Sequence, residues 1–471
     1  MNRITIEEIM RATGGQLISG QNDNFITGVK HDSRECADGD MFVAIKGENQ
    51  DGHKYIPQVV EKGCKTVLVS HTDEWYEEAV NRAGGRADEL NIIKVDDTVH
   101  ALGDLAGYYL STLDVLKIAV TGSVGKTSVR DMIYYALSEK YVCGRNLKNY
   151  NNFIGLPISI FQFDDDTEAV VLEMGMDRFG EIDRLAGIVK PHIAVITNIG
   201  MSHIENLGSR DGIFRAKMEV AEHITAYNDM HSGMLVFPCD EEFLTRERTA
   251  GDYKQIIIGE DGRSEYIISD VDDFGLEGIQ FNLEHKQDCH KIRLNVPGRH
   301  NAVNAALAMA VGNAAGLSAE EIQRGLLKTE LTGSRLRKVK TDRLSIIDDT
   351  YNANPDSMKS ALKVLELSEA KGKKTAILGD MLELGDESER QHYGVGLFAA
   401  GLKIDNLVAI GERAEKIAEG AKGREIEVLY YENKEEFFKD VDRFAGIGDI
   451  ILVKGSRGMK MEQIVEKLKE L

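Results

Sequence analysis

Residues 118–137 read IAVTGSVGKTSVRDMIYYAL, and no other stretch limits the fold of this chain as much. IAV is a short apolar strand, TGSVG a glycine-punctuated turn, and KTSVRDMIYYAL a helix whose N-terminus points back at the turn. The same texture recurs downstream in EAVVLEMGM, IAVITNIG and MLVFPCD, and again in LSIIDDTYNANP, KTAILGDMLELG, NLVAIG and DIILVKGSRG. Short buried strands alternating with helical stretches predict α/β architecture, with parallel sheets covered by helices on both faces. In such sheets ligands sit beyond the carboxyl ends of the strands, where the polar loops of these segments fall.

Length and texture together divide the 471 residues into three sections. Residues 1–110 carry short strand-like runs (DMFVAIKG, KTVLVS, NIIKVDD) between glycine and charged turns. Residues 111–330 contain the phosphate-type loop, and residues 331–471 repeat the strand–loop texture with different loops. The last section closes on Met461, Ile464, Val465, Leu468 and Leu471, whose spacing predicts a helix lying on the sheet.

Several function classes are excluded at this level. The N-terminus MNRITIEEIMRATGG places acidic residues where a signal peptide needs an apolar run, and no segment supplies 18 uninterrupted apolar residues. The five scattered cysteines contain no C-x-x-C pair, which argues against a disulfide framework or zinc site and fits a reducing cytosol. A formal net charge of −21 disfavours nonspecific nucleic-acid binding, so an anionic ligand has to be met by local basic groups. A cytoplasmic protein with neither a nucleic-acid partner nor membrane insertion is expected.

The usual phosphate loop, G-x-x-x-x-G-K-[ST], would place glycine at position 120, where this chain has Val120. The loop is therefore a shortened form, running from Thr121 and Gly122 through Ser123, Val124 and Gly125 to Lys126, Thr127 and Ser128. Backbone N–H groups and the helix dipole cradle phosphate oxygens in such a turn. Lys126 then reaches the β- and γ-phosphates and the Thr127 hydroxyl ligates Mg²⁺. Three downstream residues are ambiguous when taken singly. Glu173, at a strand end, reads as a helix cap, a solvated residue or a carboxylate for Mg²⁺. His203 reads as structural, and Lys217 as a solvated helix residue.

Taken together, these residues resemble the Mur ligases, ATP-dependent amide-forming enzymes of peptidoglycan precursor synthesis whose phosphate loop has this TGxxGKT form. The resemblance covers essentially the whole chain, through HDSRECADGDMFVAIKGENQDGHKYI, NYNNFIGLP, LEMGM, NIGMSHIENLGS, VPGRHNAVNAALA, IIDDTYNANPDSM, AILGDMLELG and ILVKGSRGMKME. It implies a three-domain architecture: a small N-terminal UDP-binding α/β domain, a central P-loop ATPase-like parallel sheet and a C-terminal Rossmann-like domain. It also implies that ATP phosphorylates a substrate carboxylate and that an amine attacks the acyl phosphate. The later stretches resemble one branch in particular, which implies UDP-N-acetylmuramoyl-tripeptide as the acid and D-alanyl-D-alanine as the amine. A monomer that closes its domains around ATP is expected.

The same resemblance implies residue roles. Thr127 and Glu173 look like Mg²⁺ ligands at the phosphates, while Glu173, His203 and Lys217 look like the group around a second metal. Lys217 matches a lysine that becomes carbamylated by CO₂; imidazole prefers softer metals, so Mn²⁺ is expected to substitute. Asn301 and Asn304 match a stretch at the adenine end, where capping by one of the two is the alternative. Arg335 and Asp349 match C-terminal residues that reach ATP; Tyr351 lies either along the nucleotide or in the core. Ser33, Arg34, Lys46 and Gly47 look like the UDP pocket, and Asn151 and Asn152 like groups holding the muramoyl-peptide. Asn352, Asn354 and Arg457 are candidates for the dipeptide, the arginine for its carboxylate. One departure is the loop Pro238-Cys239-Asp240, where many relatives carry Asn, a further residue and Asp-Asp. A sister ligase, a nucleotide-sensing scaffold and a P-loop kinase are the competing readings.

Overall fold

The computed structural model describes residues 1–471 apart from Asp73, Glu74, Arg86, Lys148, Asp229, Met230, His231, Asp240, Glu241, Glu383 and the side chain of Ala87. The chain forms two compact units. The first comprises Met1–Ala119, Tyr141–Ala194 and Glu219–Gly233; the second comprises Val120–Lys140, Val195–Met218 and Met234–Leu471. Each unit draws on more than one of the three sections read from the sequence. No helix among the described residues is long and apolar enough to cross a membrane.

In the first unit, a five-stranded sheet runs in the order Gln16–Ser19, Asn91–Lys94, Thr66–Val69, Asp40–Val43, Gly28–Lys30. All neighbours are parallel except the edge strand Gln16–Ser19. Thr66–Val69 is buried along its whole length, as a parallel strand covered on both faces must be. Val59, Val60, Trp75 and Ala79 cover one face together with Phe42 and Val67. Farther along, Leu116 donates its N–H to the Glu168 carbonyl at 2.9 Å, and the Lys117 carbonyl accepts from His192 N–H at 2.8 Å. The segment that leads to the phosphate loop is thus flanked on both sides. Ala169–Glu173, entirely buried, pairs in parallel with Cys143–Arg145 and ends on Glu173.

The second unit begins with the loop itself and the helix Lys126–Leu137. Met234–Pro238, Lys254–Gly259 and Tyr266–Asp273 pair in parallel, after which Ile279–His285 and Asp288–Leu294 continue antiparallel. The antiparallel strip departs from the all-parallel expectation. Its period-two burial, with Ile279, Phe281 and Leu283 inside, is the mark of a sheet with one wet face. Helix Asn301–Ala314 is buried almost all round, and its alanine-rich surface lets it pack closely against Lys126–Leu137.

A six-stranded sheet in the order Arg337–Lys340, Ser345–Asp349, Ile450–Lys454, Lys374–Gly379, Asn406–Ile410, Glu427–Tyr431 completes the second unit. Only its first pair is antiparallel. The helix expected at the C-terminus is Glu462–Lys469, with Met461, Ile464, Val465 and Leu468 buried and Leu471 packed beside them.

One buried ion pair fixes the phosphate-loop helix to the chain that leads into this sheet. Arg130 and Asp131 have no exposed surface, and Arg130 Nη2 donates to Asp131 Oδ1 at 2.6 Å. Arg130 Nη2 also donates to Thr332 Oγ1 at 2.9 Å, while Thr332 N–H donates to Asp131 Oδ2 at 2.6 Å. Removing one partner leaves a buried charge uncompensated, at a cost of about 3–5 kcal/mol. Arg130→Leu is expected to lower unfolding free energy by that order in denaturant titration, and an unchanged midpoint would refute the assigned role.

Candidate active site

The loop after Leu116–Thr121 is held in place by the chain at 197–200. Val124 N–H donates to Asn198 Oδ1 at 3.0 Å, and the Val124 carbonyl accepts from Asn198 Nδ2 at 2.9 Å and Thr197 Oγ1 at 2.5 Å. Ser123 adds two bonds, donating N–H to the Asn198 carbonyl at 3.1 Å and accepting the Gly200 N–H on Oγ at 2.9 Å. Two glycines make the turn feasible. Gly122 has φ 148°, and a Cβ there would lie 1.9 Å from Thr197 Oγ1; Gly125 caps the helix with φ 84°. The N-terminus of Lys126–Leu137, whose first N–H groups have no intrahelical acceptors, therefore faces a rigid anion-sized turn.

Lys126 curls back over this turn, its Nζ donating to the carbonyls of Gly122 at 2.7 Å and Ser123 at 3.3 Å. Thr127 and Ser128 are largely buried at the first turn. Asn304 Oδ1 lies 3.3 Å from the Cβ position of Gly125, so this residue faces the phosphate turn from Asn301–Ala314. Asn304 Nδ2 donates to Asn301 Oδ1 at 2.7 Å, and Asn301 Nδ2 to the Pro297 carbonyl at 2.7 Å. Asn301 thus ties the helix start to the preceding chain but does not cap it, since the N-cap is His300 and carries no side-chain cap bond.

Lys217, on Arg210–Met218, is only 1% exposed, which corrects its reading as a solvated helix residue. Burial, and secondly the positive Lys126 facing it, push its pKa well below the ordinary lysine value. Among the described residues no carboxylate pairs with it. His203 has a left-handed backbone, φ 63°, rare outside glycine, and opens the short helix Ile204–Leu207.

Glu173 belongs to the first unit, at the carboxyl end of Ala169–Glu173 and 3% exposed. Asn151 Nδ2 donates to its Oε1 at 2.8 Å. Asn146, which the sequence reading passed over, brackets its backbone: Glu173 N–H donates to Asn146 Oδ1 at 2.9 Å, and Asn146 Nδ2 to the Glu173 carbonyl at 3.0 Å. Asn152 instead accepts from the N–H groups of Ile154 and Gly155 at 3.2 and 2.8 Å, starting the next helix.

Two of the C-terminal candidates, Asp349 and Asn352, meet at Lys454, another residue not singled out from sequence. Its Nζ, buried, donates to Asp349 Oδ2 at 2.6 Å and to the Asn352 carbonyl at 2.9 Å. Asp349 Oδ1 also accepts the Leu336 N–H at 3.2 Å, so this carboxylate holds the strand end together. Arg335 stacks its guanidinium on Tyr351, 3.7 Å from the ring centroid, and donates to the Thr332 carbonyl. Asn354 caps Pro355–Leu367 through a reciprocal pair with Ser357, a structural duty for a residue expected at the dipeptide. Arg457 is exposed, with Glu462 at 3.7 Å.

In the first unit, Arg34 extends into solvent beside Asp32 at 2.6 Å, and the Ser33 carbonyl accepts from Lys62 Nζ at 2.8 Å. Lys46 bridges to Asp51 through its backbone, and Gly47 donates N–H to the Gln50 carbonyl at 2.9 Å. Pro238 pairs along Lys254–Gly259, Cys239 donates N–H to the Ile258 carbonyl at 2.6 Å, and Asp240 lies outside the described residues.

Comparison with known proteins assigns the chain to a family. Residues 25–109 match the Mur ligase family, catalytic domain; residues 120–312 the Mur ligase middle domain; and residues 334–457 the Mur ligase, glutamate ligase domain. The chain belongs to the Mur ligase family. A Bacillus subtilis relative, UDP-N-acetylmuramoyl-tripeptide–D-alanyl-D-alanine ligase, is 39% identical over 100% of this Mur ligase and 99% of its own length. The Escherichia coli enzyme of that name is 28% identical over 100% and 99%. The crystal structure of MurF from Acinetobacter baumannii superposes with a TM-score of 0.88 at 32% identity, covering 100% of both chains. MurF ligase from Thermotoga maritima, in complex with ADP, gives 0.80 at 26% identity over 94% and 97%. The three-domain, mixed α/β Mur ligase architecture follows from these matches.

In this Mur ligase the two side-chain bonds of Asn198 to Val124 carry the loop geometry. Asn198→Ala is expected to raise the apparent Kd for ATP about tenfold, the scale of one to two lost hydrogen bonds, with the fold intact by circular dichroism. Unchanged affinity in calorimetric titration would show that the turn holds its shape without the strap.

Proposed function

We propose that this Mur ligase joins D-alanyl-D-alanine to UDP-N-acetylmuramoyl-tripeptide at the expense of ATP, releasing ADP and phosphate. Full-length likeness to enzymes of that name supports the substrates, and the strapped turn with Lys126 supports the nucleotide. The functional division is taken as 1–110 for the UDP substrate, 111–330 for ATP and 331–471 for the dipeptide. ATP as phosphoryl donor fits a cytoplasmic reaction.

The tripeptide carboxylate attacks the γ-phosphate to form an acyl phosphate and ADP. The dipeptide amine then attacks the acyl carbon, and the tetrahedral intermediate collapses by expelling phosphate. Lys126 exchanges its two loop carbonyls for phosphate oxygens, so its charge is aimed where charge develops. Arg335, held flat on Tyr351, offers a planar, permanently charged fork to the same anion. Exclusion of water protects the acyl phosphate from hydrolysis.

The oxygen donors of Thr127 and Glu173 fit Mg²⁺, which prefers hard ligands; His203 fits Mn²⁺ better. The metal would supply charge neutralisation at the transferred phosphoryl group. Lys217 as an ammonium does not fit a metal ligand. As a carbamate it would: the neutral Nζ attacks CO₂, one proton leaves, and an anionic oxygen donor faces Lys126 in place of a second cation. The observation that carries this reading is the burial of Lys217 opposite Lys126 with its charged form suppressed. A lysine whose ammonium form is disfavoured by burial presents more of its reactive free amine than an exposed lysine does at the same pH.

Phosphate release should require ATP, Mg²⁺, the UDP-tripeptide and D-alanyl-D-alanine together, with a product mass equal to the sum of the joined substrates less water. Release with a single amino acid instead would move the protein to a sister ligase; binding of ATP without turnover on any amine would favour the scaffold. Protein incubated with ¹³C-bicarbonate should show one carbamate carbon resonance that Lys217→Met abolishes. The same substitution is expected to lower kcat by about 10²–10⁴-fold, the range for loss of charge-stabilising groups. Wild-type activity without any carbamate signal would sink the carbamylation.

A further inference from the structure

The loop that carries Lys46 and Gly47 is clipped to the neighbouring strand by one buried histidine. Lys46 and Asp51 form an antiparallel bridge, Gly47 N–H donates to the Gln50 carbonyl, and Gly52 N–H donates to the Ile45 carbonyl at 2.9 Å. Gly52 permits that closure, since a Cβ there would lie 2.8 Å from both the nitrogen and the carbonyl oxygen of Ile45. Immediately after it, His53 is 1% exposed. Its Nδ1 stands 2.6 Å from Asp51 Oδ1, and its Nε2 accepts the backbone N–H of Ser70 at 3.0 Å. Ser70 follows Thr66–Val69, the parallel neighbour of Asp40–Val43, from which the loop emerges.

The Ser70 bond decides the tautomer. A backbone N–H only donates, so Nε2 must present its lone pair, and the ring proton of neutral His53 sits on Nδ1 and points at Asp51. His71 stacks on the ring with centroids 3.9 Å apart, its Nε2 3.3 Å from Asp51 Oδ2. Asp51, His53 and His71 lie close enough to suggest a metal site. The tautomer argues against it: a metal on Nδ1 would drive the proton onto Nε2, against the Ser70 N–H, leaving two buried donors face to face. The arrangement is a hydrogen-bonded clip instead.

We propose that His53 is a positioning residue for the UDP-bearing substrate: through Asp51 and Ser70 it holds the Lys46–Gly47 loop in the shape that receives the diphosphate. The proposal rests on the ligase reading above. Pre-ordering the loop removes the entropy of ordering it at binding, so the effect falls on that substrate and not on the dipeptide. The charged and titratable groups facing His53 are Asp51, His71 and Lys46. Protonation would place a second N–H against Ser70, so the clip is intact in the neutral state. Burial is the leading cause that holds His53 below the ordinary histidine value. The sign follows: the unfolded chain takes up the proton first, so the clip's contribution to stability falls as pH drops below the ordinary histidine value, while in the folded protein the clip itself holds until the lower folded value is reached.

The test uses the full-length enzyme and three variants. His53→Asn keeps a donor for Asp51 but loses the acceptor for Ser70, His53→Gln keeps the acceptor, and His53→Ala keeps neither. His53→Ala is expected to raise KM for the UDP-tripeptide about tenfold, with kcat and the dipeptide KM changed less than about twofold. The two partial variants should fall between, and ¹⁵N-histidine NMR of the wild type should show the Nδ1–H tautomer for this ring. Equal losses in kcat and both KM values, or an Nε2–H tautomer, would overturn the proposal. So would one equivalent of bound zinc whose removal mimics His53→Ala. If the wild type fails to bind the UDP-tripeptide at all, the ligase reading falls and the proposal with it. If it binds and His53→Ala leaves its KM unchanged, the proposal alone fails.

Discussion

The strapping of the phosphate turn onto residues 197–200 is the contact on which the rest of the site depends. A glycine-rich loop is entropically free, and a free loop presents its N–H groups to an anion only part of the time. Asn198 grips both polar groups of Val124, and Thr197 Oγ1 occupies the space that any side chain at position 122 would need. The turn is therefore ordered before a nucleotide arrives, and Lys126 is folded over it in readiness. Because the helix behind the turn is locked through Arg130 and Asp131 to Thr332, that order extends to the segment bearing Arg335.

Electrostatics gives the site its direction. The chain carries a formal net charge of −21, yet ATP and the UDP-tripeptide are both anions. Local cations have to supply the favourable charge, and Lys126, folded over its turn, is one of them. Lys217 belongs to a different class. With Lys126 opposite and its surroundings dry, it cannot serve as a further ammonium without a large desolvation penalty. The same surroundings favour its neutral amine over the ammonium.

Legibility from sequence differed between residues for identifiable reasons. The turn from Thr121 to Ser128 was readable because strand, glycines and helix lie in one continuous segment, and each residue's role follows from its place in it. The closing helix was readable from spacing alone, and four of its five apolar positions are buried. Asn146, Asn198 and Lys454 were missed, although the last two sit in stretches quoted from the sequence. Their partners are Glu173, Val124 and Asp349, which lie 27, 74 and 105 residues away. The structural use of Asn354 is local, a helix cap, and an Asn before Pro with Ser three residues on already encodes that. The antiparallel strip Tyr266–Leu294 was passed over because attention rested on continuous apolar runs, whereas its signal was alternation.

The sequence by itself determined the α/β texture, the phosphate turn and the family, because those depend on periodicity and on motifs whose residues are contiguous. Only the tertiary structure decided the state of individual groups. Lys217 looks like any lysine on a polar helix until the fold removes its water and sets Lys126 against it. His53 looks like one histidine among 12 until Ser70 fixes its proton on Nδ1. Protonation, tautomer and pre-order follow from the desolvation and hydrogen-bond partners around a group, and the chain supplies those partners from distant positions only when it folds.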